Sequence, residues 1–60
     1  MEKGQLWKIE HGYLHIVELG KRLIHYRILR QPAQRGVLTK TIGIEALLNY
    51  LQQNEAELVK

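Results

Sequence analysis

An α+β fold is predicted: an antiparallel β-meander of three to four strands followed by one C-terminal α-helix packed on one sheet face. Three observations predict it. Residues 6–42 largely alternate between apolar and polar, the period of half-buried strands. Turn-forming residues at Gly12, Gly20 and across 31–36 punctuate that alternation. From Ile44 onward the apolar residues change to helical spacing.

The first strand, about 6–10, sends Trp7 and Ile9 one way and Lys8 and Glu10 the other. His11-Gly12 reads as a tight turn, since glycine tolerates positive φ. The second strand, about 13–19, sets Leu14, Ile16 and Glu18 against Tyr13, His15, Val17 and Leu19. The third, about 23–30, sets Ile24, Tyr26 and Ile28 against Leu23, His25, Arg27 and Leu29. A three-residue loop at Gly20-Lys21-Arg22 brings Trp7, Ile9, Leu14, Ile16, Ile24, Tyr26 and Ile28 onto one face. A one-residue slip would move every side chain across the sheet, so this register is preferred. Glu18 alone is out of character there. Pro32 and Gly36 mark a loop, and residues 37–42, rich in β-branched side chains, read as a fourth, edge strand carrying Lys40. The helix, about 44–58, carries Ile44, Leu47, Leu48, Leu51 and Leu58 as its stripe. Glu45 lies in its first turn and Lys60 at its end, as the helix dipole favours, with Thr41 or Gly43 as the cap.

One domain accounts for all 60 residues. A chain this short buries only about 60% of the surface it exposes when unfolded, so self-association is an attractive source of further stability. There is no cysteine, which removes disulfides and cysteine-based zinc sites and fits a reducing, cytoplasmic compartment. No signal peptide is visible, and no apolar run approaches the roughly 20 residues a membrane-spanning helix needs.

The formal net charge is +3, but its distribution says more. Between Glu18 and Glu45 there is no acidic residue, while Lys21, Arg22, Arg27, Arg30, Arg35, Lys40 and His25 all fall in that window. Such a segment attracts polyanions.

A single helix covers a single sheet face. The other face then carries Tyr13, His15, Val17, Leu19, Leu23, His25, Arg27 and Leu29, which is unusually apolar for a solvated surface. One reading makes this face a homodimer interface built on Tyr13, His15, Val17, Leu19, Leu23 and Leu29. Another has His25, Arg27, Lys21, Arg22, Arg30, Arg35 and Lys40 contact nucleic acid, with Tyr13 free to stack. The two are compatible, and an acidic protein is the alternative partner. Residues 39–51, TKTIGIEALLNYL, together with the small sheet, resemble in arrangement the N-terminal DNA-binding domains of phage-type integrases. In those domains a three-stranded sheet enters the major groove, and the resemblance implies a DNA-binding role by fold analogy only.

Chemistry of other kinds finds little support. The chain has no Asp and no Cys, so neither a Ser-His-Asp set nor a thiol nucleophile can be assembled. His15 and His25 fall on one face as diagonal neighbours, but a zinc site needs a third ligand and Arg27 lies beside them. The expectation is a non-enzymatic binding protein without metal or cofactor.

Overall fold

The computed structural model describes residues 1–59; Lys60, assigned above to the helix end, lies outside the described residues. The elements in chain order are β1 (Leu6–Ile9), β2 (Gly12–Leu19), β3 (Leu23–Leu29), β4 (Lys40–Gly43), α1 (Ile44–Gln53) and β5 (Glu57–Leu58). The strands form one sheet in the order β4-β3-β2-β1-β5, every pair antiparallel. The predicted α+β meander with a following helix is therefore the observed fold. The helix leaves one edge of the sheet and delivers the chain to the other, where β5 adds a fifth strand.

Leu14, Ile16, Ile24 and Leu47 are fully buried, and Ile9 and Leu51 nearly so. Trp7, Tyr26, Ile28, Ile42, Ile44 and Ala56 pack around them. Every apolar sheet residue that alternation assigned to the helix-facing side belongs to this cluster. Burying one such aliphatic side chain stabilises the fold by about 1.5–3 kcal/mol.

The first turn differs from the expected one. Ile9 pairs with Gly12 and Trp7 with Leu14, so the loop is Glu10-His11 rather than His11-Gly12. Gly12 instead opens β2, because a Cβ there would fall on the carbonyl oxygen of Leu29 in β3. The second hairpin keeps the expected register at Leu14↔Ile28 and Ile16↔Tyr26. It then shifts by one residue between Ile16 and Glu18, pairing Glu18 with His25 and Leu19 with Ile24. Val17 is the extra residue of this β-bulge. The bulge corrects two assignments at once: Glu18 turns away from the core, and Leu19 crosses to the helix side. Without it a carboxylate would face Ile24, at the cost of burying a charge.

The fourth strand is shorter and later than the predicted 37–42, beginning only at Lys40. The helix is also shorter. Gly43 is its N-cap, without a side-chain cap bond, and the Ile44 N–H donates to the Arg22 carbonyl (2.9 Å). Helix α1 ends at Gln53 rather than at residue 58 because a Schellman motif closes it. The Ala56 N–H donates to the Leu51 carbonyl (2.9 Å) and the Glu55 N–H to that of Gln52 (3.1 Å). Glu55 holds the left-handed position at φ 50°. Leu58 consequently leaves the helix stripe and lies in β5, half exposed, opposite Trp7.

Candidate nucleic-acid interface

The sheet face turned away from α1 is built from three rows of cross-strand neighbours. One row runs Glu57, Lys8, Tyr13, Leu29 across β5, β1, β2 and β3. The next runs Leu6, His15, Arg27. Beyond the bulge comes Glu18, His25, Thr41, reaching β4. Tyr13 and His15 on β2 thus share a face with Arg27 and His25 on β3, His15 directly opposite Arg27, with alternate residues along a strand about 6.7 Å apart.

Two of these side chains are held by hydroxyl groups. The Arg27 Nε donates to Thr39 Oγ1 at 2.9 Å, which fixes the guanidinium plane and leaves its terminal nitrogens to other acceptors. Thr41 Oγ1 and His25 Nδ1 share a hydrogen bond of 2.9 Å, which orients that ring. Alternation around Lys40 explains the arrangement: Thr39 and Thr41 reach this face while Lys40, opposite Tyr26, goes to the helix side. The two threonines were missed at the sequence level, although the TKT alternation is the signal that finds them. Leu6 was missed as well; it reaches the face through its pairing with His15.

Among the described residues Lys3 forms an ion pair with Glu18 (3.2 Å) and the His11 ring lies 3.8 Å from the Glu10 carboxylate, both exposed. Arg27, which is half-buried, has no carboxylate partner among the described residues. Of the two acids on the face, Glu18 is engaged by Lys3 and Glu57 sits at the β5 edge.

The structure divides the expected cationic set. His25 and Arg27 lie together on the open face. Lys21 and Arg22 lie at the exposed β2–β3 tip, and Arg30 and Arg35 at the other end of β3 and in the loop beyond it. Lys40 lies on the opposite side of the sheet. The expected interface set divides too. Tyr13, His15 and Val17 are half-buried and Leu23 is 52% exposed, but Leu29 is only 3% exposed and so offers no surface to a partner. Leu19, as described, has crossed to the helix side. Compared with what alternation alone implied, the open face exchanges Leu19 for Leu6, loses Lys40 and gains Glu18 and Glu57.

Among the described residues no three His or Glu side chains gather in a metal-holding group, and no helix is long and apolar enough to cross a membrane. Comparison of the chain with family models, with curated proteins and with solved structures finds no match.

Proposed function

We propose that this protein is a small non-enzymatic binding protein that contacts nucleic acid through its open sheet face. The observation that carries the reading is Arg27: a half-buried guanidinium on the face turned away from α1, bonded to Thr39 and without an acidic partner among the described residues. Charge-assisted bonds from such a group to phosphate oxygens are short and strong. His25 and His15 stand beside it, Tyr13 supplies an aromatic surface, and Lys21, Arg22, Arg30 and Arg35 add a sequence-independent attraction from the two ends of the hairpin.

Fluorescence anisotropy with labelled DNA and RNA at 50 and 200 mM salt tests the proposal. Binding is expected at the lower salt and should weaken steeply at the higher. Arg27→Gln should reduce affinity and lower the salt slope by about one. Absence of binding to every nucleic acid at 50 mM would reject the reading.

A second copy of the chain is the competing occupant of the same face. Leu23, Val17 and Leu6 would supply its apolar contacts. Light scattering across a concentration series distinguishes the two. A monomer throughout leaves the face to nucleic acid, whereas a dimer that Leu23→Glu dissociates gives it to self-association.

A further inference from the structure

Resting on the nucleic-acid reading above, we infer that the ligand of the open face is a single strand rather than a duplex. The first argument is size. The widest rows, such as Glu57, Lys8, Tyr13 and Leu29, hold four strands abreast, about 14 Å between outer backbones at an inter-strand spacing of about 4.8 Å. At the level of Arg27 the chain segments abreast include Leu6, His15 and Arg27, flanked by Val59, whose N–H donates to the Leu6 carbonyl (2.8 Å), and by Thr39. The major groove of B-form DNA is only about 12 Å wide, enough for a helix or a two-stranded ribbon. A three-stranded sheet at the same spacing spans about 10 Å and can enter; this one, presented face-on, cannot. The segments that flank β1, β2 and β3 thus remove the docking mode that the integrase-like arrangement suggested.

The second argument is chemistry. On a duplex, a flat face this wide reaches phosphates alone, and Tyr13 has no base to meet. On a single strand the bases are unstacked and can lie against an aromatic ring while neighbouring cations hold the backbone. Tyr13 lies on β2, one residue pair from His15 and Arg27, so a base on the phenol ring leaves its flanking phosphates within the span of Arg27 and His25. Glu57 borders the face at the β5 edge, while Glu18, paired with Lys3, lies on β2 opposite His25 and marks the far end of the track. The strand therefore runs along the Tyr13–His15 and Arg27–His25 rows.

Anisotropy with one labelled oligonucleotide, free and annealed to its complement, decides the matter, with DNA and RNA versions of each. The single strand is expected to bind at least tenfold more tightly than the duplex at 100 mM salt. Tyr13→Leu should weaken single-strand binding roughly five- to hundred-fold, as removal of a stacking partner does, and leave duplex binding unchanged. Circular dichroism and Trp7 emission verify that the variant folds. Photocrosslinking of a bromouridine-substituted strand to the unmodified protein gives an independent readout, with attachment expected on β2 or β3 near Tyr13. Equal or tighter duplex binding, or crosslinks confined to the Lys21-Arg22 tip, would overturn the inference while leaving nucleic-acid binding intact. Failure of both strand forms to bind would remove the parent reading as well.

Discussion

Glu55 holds φ at 50°, the one non-glycine residue among those described with a positive value. An L side chain in that region costs about 1–2 kcal/mol, a strain accepted here because the Schellman bonds from Glu55 and Ala56 close the helix. Glu55→Gly is therefore expected to stabilise the protein by about 1 kcal/mol, allowing for glycine's greater freedom when unfolded. Against a total of about 3–9 kcal/mol for a chain of this length, that is a large increment. It should raise Tm by about 4–8 °C, while Glu55→Ala leaves it nearly unchanged. Equal gains from both variants would assign the effect to charge instead of backbone. The same residue explains why the helix end was illegible in the sequence. Leu58 continues the spacing of Leu51 by two turns, and nothing about a glutamate marks a left-handed cap. The alternation of Tyr13, His15, His25 and Arg27 was legible, because side-chain direction in a strand depends only on parity. Their partners Thr39 and Thr41 required knowing that β4 lies beside β3.

At the level of elements, parity also explains what went wrong in the meander. Moving the first turn from His11-Gly12 to Glu10-His11 slides β1 by two residues, which preserves every face and so leaves no trace in the apolar pattern. The bulge at Val17 changes parity and did leave a trace, in the misplaced Glu18. The pairing predicts an unusual deletion result. Removing Val17 should leave Ile16↔Tyr26, Glu18↔His25 and Leu19↔Ile24 as one continuous ladder, at a cost of about 1 kcal/mol for the lost half-buried side chain. Removing His15 also absorbs the bulge, but it turns the fully buried Ile16 out of the core and should cost about 2 kcal/mol. Urea titrations followed by Trp7 emission give the ordering; a Val17 deletion more damaging than the His15 deletion would contradict the assigned register.

For the molecule as a whole, one layer of helix on one layer of sheet was readable from the change of period at Ile44, and the core followed from it. The fifth strand was not. Two residues make too short a segment for any periodic signal, and Glu57-Leu58 pairs with β1 only because the helix ends early enough to bring the chain to that edge. The width that results, rather than any single residue, is what the proposed preference for an extended strand over a groove rests on.

β1 and β5 are joined across most of the chain: Trp7 lies against Leu58 and Lys8 against Glu57. Contacts this remote along the chain form late, because closing the intervening loop is entropically unfavourable until the remainder has organised. They should also open first. In native-state hydrogen exchange, the amides of β2 and β3, paired on both sides, are expected to be the last to exchange, and those at the β1–β5 seam among the earliest. Protection at Leu58 equal to that at Ile16 would mean that the whole sheet melts as a single cooperative unit. An early-opening seam would instead let one margin of the molecule breathe while the central hairpin, with Tyr13 and Arg27, stays rigid.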